Sequence, residues 1–417
     1  MLLHRLSLNG VRKYRRYKDA TQYQNSEMKL FDDIERTFLG SSKHNEKTYD
    51  YYQRSARIDI GIVRDKLNHW FDDYPENEKK EFKSGFKDKF DDSFYELFIF
   101  QLFKSLEFSI TVHPKLPNSP KRPDFLVKKG ELEFYVEAKI VKNKSATEEA
   151  LDRKIGEFYD GFSKIKLSNF LLNVDSFVIK TQKQPNTKAA VKYIESEVKK
   201  LDPEKITQDL TTLGFDGIPI ITFENEDLRV VVKPMPTVVP IETDELVRPI
   251  GMYPSESFWG GSGNSIKDSI DLKAKRYGEL DKPFIICLNL IDYKVSGQFD
   301  VQKAVWGDLA WSWSEDPNNR DEKWVRSRNG AFLGEKGPRL KNLSGIFLSK
   351  VFPHTLPSAK YWLFEHPFSE NIFDFNQLGL IYSYVKEGKI IENTGENLDT
   401  ILGISRNWLI ANDTPIS

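Results

Sequence analysis

The chain has 417 residues, of which 39% are hydrophobic and 29% charged, and its formal net charge is −1. That length suggests roughly two or three domains with ample core, and the near-neutral balance excludes a global basic field, so any nucleic-acid surface must be a local patch. A single cysteine, Cys287, excludes an intramolecular disulfide and a thiolate zinc cluster, and the six histidines show no HxH or HExxH spacing.

In chain order, residues 1 to about 50 read as a polar arm. Its run Arg12-Lys13-Tyr14-Arg15-Arg16-Tyr17-Lys18 is basic with interleaved tyrosines, which suits phosphate contact and base stacking but also an ordinary solvated tail. Ile58 to Phe71 has apolar residues at helical spacing and ends at Asp72-Asp73-Tyr74-Pro75, and Glu76 to Phe90 is a charged second helix. Ser93 to Leu106 predicts a third helix, apolar almost all round and therefore buried. Within it Glu96 faces Ile99, Phe100 and Phe103, where a carboxylate needs a partner. Ser93-Phe94-Tyr95-Glu96 equally reads as a capping box.

Phe108 to His113 predicts a short strand. After a loop, Phe125-Leu126-Val127 and Leu132 to Val141 form a hairpin with a turn signal at Lys129-Gly130. On the second strand Leu132, Phe134, Val136, Ala138 and Ile140 share one face, and Glu133, Tyr135, Glu137, Lys139 and Val141 the other. A two-residue loop at Lys129-Gly130 sets Asp124 against Tyr135, diagonal to Glu137. A four-residue loop at Lys129 to Leu132 sets it directly opposite Glu137, and a three-residue loop sends the two carboxylates to opposite faces. On a shared face they stand about 5 to 8 Å apart, within reach of one bridging ion. Lys139 shares the face of Glu137 for any loop. Two carboxylates and an ammonium on one face suit phosphodiester hydrolysis, with hard oxygen ligands for Mg²⁺ or Mn²⁺ and an amine to orient or deprotonate water.

Thr147 opens a helix with Leu151, Ile155, Phe158, Phe162 and Ile165 on one stripe and Lys154 on its polar side. Phe170 to Ile179 is the next strand, and Lys188 to Leu201 an amphipathic helix. Further on, Ile218 to Phe223 and Leu228 to Pro234 form a hairpin around Asn225-Glu226-Asp227. Trp259-Gly260-Gly261-Ser262-Gly263-Asn264 leads into a helix from Ser265 to Leu280. That loop lacks the GK[ST] of a phosphate-binding loop and reads as a capped turn. The helix carries Lys267, Lys273, Lys275 and Arg276, either a positive strip beside a cleft or a solvated face. Pro283 to Leu290 is an interior strand. Trp306, Trp311, Trp313 and Trp324 are stacking platforms or, more commonly for tryptophan, packed residues. Gly345 to Phe352 and Lys360 to Glu365 are late strands, and the tail past Gly388 is polar. No run reaches the length of a membrane span and the first residues lack a signal-peptide core, so a reducing cytoplasm and no membrane partner are expected.

Pro123-Asp124 followed by Glu137-Ala138-Lys139 resembles the PD-(D/E)xK, or restriction-endonuclease-like, nuclease superfamily. The resemblance covers Ser93 to Ile179, whose α-β-β-β-α-β order is that of the nuclease core, under a quarter of the chain. It implies an α/β fold with a mixed sheet flanked by helices, a helical N-terminal extension over 1–90, the core over 91–205 and a C-terminal α+β region over 206–417. It implies Asp124, Glu137 and the Ala138 carbonyl as ligands of Mg²⁺ or Mn²⁺, Lys139 as the residue that positions or activates water, and Glu96 as a helper at the metal or its water. The helix from Thr147 is expected beside the site, with Lys154 near a phosphate or, more commonly for an exposed lysine, simply solvated. DNA is the favoured substrate, restriction or phage defence the setting by analogy, and a homodimer a common form in that class. Two other classes remain: a non-catalytic nucleic-acid-binding module, and a scaffold whose charged face is merely solvated.

Overall fold

The computed structural model describes residues 28–141, 146–240, 249–254, 262–291, 297–316, 318 and 321–410. The basic Arg12 to Lys18 run and Trp259-Gly260-Gly261 of the glycine loop lie outside them. The N-terminal region is helical: α1 Thr48–Arg54, α2 Ile58–Asp72, α3 Glu76–Asp88 and α4 Phe90–Ser105. The expected polar arm already packs where the description begins. Leu30 and Phe31 are buried, and Phe31 stacks on Tyr49 and Tyr52 and meets Phe86 edge-on. Aromatic surface of that size outweighs the charge of its neighbours. In α4 ten residues are buried, as its near-continuous apolar sequence requires.

Strands β1 Ser109–Val112, β2 Phe125–Lys129 and β3 Leu132–Val141 follow as an antiparallel meander. The chain then leaves this sheet for α5 Ala146–Phe162, β4 Phe170–Ile179, α6 Thr187–Val198, α7 Pro203–Leu213, β5 Ile221–Glu224, β6 Leu228–Pro236 and β7 Ile250–Met252. These strands form a separate sheet in the order β5-β6-β4-β7. Its core is Phe158, Phe162, Leu172, Val174, Ile194 and their neighbours. Local signals are strong here: Asp202 caps α7 ahead of Pro203 at the first helical position, and Asn186 caps α6.

The chain returns through α8 Ser262–Ala274 to β8 Phe284–Leu290, which pairs parallel with β3. After it come α9 Gln298–Trp306, the ribbon of β9 Leu309–Ser312 and β10 Lys323–Arg326, and the short pair β11 Leu333–Gly334 and β12 Gly337–Pro338. Then β13 Gly345–Lys350, β14 Lys360–Glu365, β15 Tyr382–Lys386 and β16 Lys389–Glu392 extend the first sheet, and α10 Leu398–Leu402 follows. Its order is β1-β2-β3-β8-β13-β14-β15-β16, with parallel and antiparallel neighbours mixed. Helices α2, α3 and α4 cover one face through Phe134, Val136, Ile285 and Cys287. Helices α8 and α9 cover the other through Tyr135, Ile286, Leu288 and Val305.

Two expectations are corrected. The α-β-β-β-α-β order does not run from Ser93 to Ile179, because β4 pairs with β6 and β7 and the strand beside β3 is β8. Every residue of β8 is buried, whereas burial along β4 is uneven. A central parallel strand needs a continuous apolar run, which only Phe284–Leu290 supplies. Its one polar residue, Asn289, is satisfied by the amide and carbonyl of Val351 at 2.9 and 2.8 Å. Accordingly α5 packs on the second sheet rather than beside the hairpin, and the Lys154 ammonium donates to the Gln182 carbonyl.

No helix among the described residues is long and apolar enough to cross a membrane.

Candidate active site

The hairpin register decides the placement of the acids. Lys129 pairs with Leu132, so Gly130-Glu131 is a two-residue turn with Gly130 at φ +59°, a backbone region glycine enters without steric cost. Phe125 pairs with Val136, which sets Asp124, the residue before β2, across from Glu137. This is the directly opposed register, reached through a tighter turn than the four-residue loop. Asp124 Oδ2 accepts a hydrogen bond from the Ala138 amide at 2.7 Å. Burial, followed by the charges of Glu137 and Glu96, raises the Asp124 carboxyl well above its ordinary pKa, against the pull of the Ala138 amide and Lys273.

Glu137 is 1% exposed. Its Oε1 accepts from Lys273 Nζ at 2.5 Å and from Arg276 Nη1 at 2.8 Å. Its Oε2 accepts from the Tyr277 hydroxyl, which also lies 3.1 Å from the Arg122 carbonyl. Burial and the facing Glu137 carboxylate push the Tyr277 phenol far up, so it stays a donor. Lys139, two residues along β3, projects from the same face as Glu137. Its ammonium binds Asp92 Oδ1 in the first turn of α4. Asp92, Lys139, Ile140, Ser269, Leu272 and Lys273 line a cavity of about 300 Å³.

Glu96 does not close a capping box. Helix α4 begins at Phe90, one turn earlier than its apolar periodicity suggests, with Asp91 and Asp92 in the favourable acidic first turn. Glu96 is therefore interior to the helix. It accepts from the Tyr74 hydroxyl at 2.7 Å, and burial raises its carboxyl, with the charges of Glu137 and Asp92 adding to the rise.

The structure thus brings Asp124, Glu137 and the Ala138 backbone together on neighbouring strands, with Glu96 and Lys139 bordering them. Three partners escaped the sequence reading. Asp92 stands four residues before Glu96, a spacing that sets both acids on one helix face. Tyr277 lies past the end of α8, which stops at Ala274 rather than running to Leu280, so helical spacing from Lys273 could not have found it. Tyr74 looked like part of a helix-ending turn. Among the described residues no group of three or more His, Cys, Asp or Glu side chains is arranged to hold a metal ion.

Fold and site together define a mixed α/β protein with an N-terminal helical region, mixed sheets and an acidic pair on neighbouring strands, Glu137 buried and Asp124 half-buried. Comparison of the chain with protein-family models, with curated proteins and with solved structures gives no match to any of them.

Proposed function

We propose that this chain hydrolyses phosphodiester bonds of nucleic acid, DNA being favoured, with Mg²⁺ or Mn²⁺ as cofactor. The observation that carries the proposal is the register that sets Asp124 opposite Glu137 with Lys139 on the same face. The order α4, β1, β2, β3, α8, β8 supports a restriction-endonuclease-like core in which residues 142–261 are inserted between the third strand and the second helix. The donor set fits a hard divalent ion: two carboxylates and the Ala138 carbonyl, with the like charges of Glu137 and Glu96 already bearing on Asp124.

Asp124 and Glu137 would hold the ion, which supplies an acidified water and neutralises charge on the phosphorus. Asp124 is fixed for this by the Ala138 amide, and Glu137 by α8. Lys139, held by Asp92, sits where its ammonium can orient the attacking water or stabilise new charge. Glu96, locked by Tyr74, adds a carboxyl near that water. Restriction or phage defence is the setting by analogy alone.

A second reading, a nucleic-acid-binding module without catalysis, draws on one observation: Glu137 is already neutralised by Lys273 and Arg276. The two separate in one experiment. Single- and double-stranded DNA and RNA are incubated with Mg²⁺, Mn²⁺ or EDTA, using wild type, Asp124→Ala and Lys139→Ala. Metal-dependent cleavage by wild type alone supports the nuclease. Binding without cleavage supports the module, and equal cleavage by all three proteins moves the chemistry elsewhere.

A further inference from the structure

Glu137 carries a full set of donors. Lys273 and Arg276 share Oε1, Tyr277 takes Oε2, and the side chain is 1% exposed, so its charge is balanced by two protein cations rather than by water. A divalent ion bound at Glu137 would lie within a few ångströms of both cations. In a water-poor site like charges at that range repel strongly, so ion and cation pair exclude each other there. The surroundings offer both cations another place. Lys273 already lines the cavity it shares with Lys139, Asp92 and Ser269. The Arg276 side chain is 43% exposed, with solvent on its outer side.

We propose that Lys273 and Arg276 are built-in substitutes for the divalent ion: they hold Glu137 in place until the ion binds, then leave Oε1 and grip phosphates of the nucleic acid, Lys273 in the cavity beside Lys139 and Arg276 at the exposed surface next to it. This rests on the nuclease reading above and assigns α8 a role in it. The arrangement avoids leaving a buried carboxylate unpaired in the metal-free protein, a state that would otherwise cost stability. It also links two binding events. Release of Lys273 and Arg276 by the ion readies them for phosphate, and phosphate holding them away from Glu137 favours the ion. Coupling of this kind is reciprocal and commonly amounts to about 5- to 150-fold in affinity.

The test uses the full chain as wild type, Lys273→Met and Arg276→Ala. Mn²⁺ affinity is measured by calorimetry without substrate, and binding of a labelled DNA duplex is measured with and without Ca²⁺. Thermal unfolding checks that each variant is folded, and Arg276→Ala, at the half-exposed position, carries the test should Lys273→Met fail to fold. The expected result is Mn²⁺ binding tighter by about 5-fold or more in the variants. Ca²⁺ should tighten DNA binding of wild type by a similar factor, a gain the variants largely lose. Variants that bind Mn²⁺ no tighter than wild type overturn the exchange and leave the nuclease reading standing. Mn²⁺ binding to none of the three proteins overturns both.

Discussion

The two larger sheets of the molecule treat charge in opposite ways. Between 146 and 254 no described charged side chain is buried, and the ion pairs Lys180–Glu224, Lys199–Glu195, Lys200–Glu197 and Lys233–Asp175 are partly or well exposed. The core there is apolar throughout. The eight-stranded sheet instead buries Glu137 and holds Asp124 and Glu96 with raised carboxyls around one strand pairing. Burying charge costs several kcal/mol per ion even when paired, and an apolar replacement is often more stable. The inserted unit shows that this chain can build a sheet without such a cost, and the acids around the hairpin are the place where the proposed function would draw on it.

The comparison is tested most strongly by activity. Lys139→Ala is expected to lower DNA cleavage by roughly 10²- to 10⁴-fold, measured under single turnover with Mg²⁺, while Lys180→Ala in the inserted unit leaves the rate unchanged. A loss of rate from Lys180→Ala would break the division between the two sheets.

Stability comes next. Phe158 is fully buried, stacked on Phe177 at 3.8 Å and near Phe162 at 4.3 Å. Phe158→Ala should cost about 3 to 5 kcal/mol. Hydrogen exchange should accelerate in β4 and β6 and stay slow in β3 and β8. Equal acceleration in both sheets would mean that they unfold as one.

A pH effect belongs to the eight-stranded sheet. His366 is 3% exposed. Its Nε2–H donates to the Arg339 carbonyl at 2.8 Å and its Nδ1 accepts from the Phe368 amide at 3.0 Å, an arrangement that requires the neutral ring. Burial lowers its pKa from 6.5 to about 4. The unfolded chain therefore takes up the proton first as the medium acidifies. Stability from this group is complete above pH 6.5 and lost as pH falls to about 4, roughly 3 kcal/mol in all. Urea titrations of wild type and His366→Gln across that window should differ in slope. Parallel curves would place the ring in water.

The smallest expected effect is that of Tyr277→Phe. It removes one donor from Glu137 and leaves Lys273 and Arg276 in place, so a loss of about 1 to 2 kcal/mol is expected in denaturant unfolding. No loss would mean that the Oε2 contact is dispensable.

Much of this was legible in the sequence. The alternation along Leu132 to Val141 set Glu137 and Lys139 on one face, and the continuous apolar run at Phe284–Leu290 marked an interior strand. Lys267, Lys273, Lys275 and Arg276 were readable as either a positive strip or a solvated face, and Lys273 and Arg276 reach Glu137. The partner of β3 was not legible. Sequence order favours the next strand, β4, and no local signal says that more than a hundred residues intervene before the strand that pairs with it. Nor was the α4 start, because Phe90-Asp91-Asp92 belongs equally to the end of a charged helix. Contacts across long separations, such as Tyr277 to Glu137, depend on that unforeseen pairing.

The central claim is that Asp124 and Glu137 hold one divalent ion together with the Ala138 carbonyl. Crystals grown with Mn²⁺, with an anomalous difference map calculated for wild type and for Asp124→Ala, test it directly. A single peak bounded by Asp124, Glu137 and the Ala138 oxygen in wild type, absent from Asp124→Ala, is the predicted result. A map with no peak there, or a peak that persists in the variant, would contradict it.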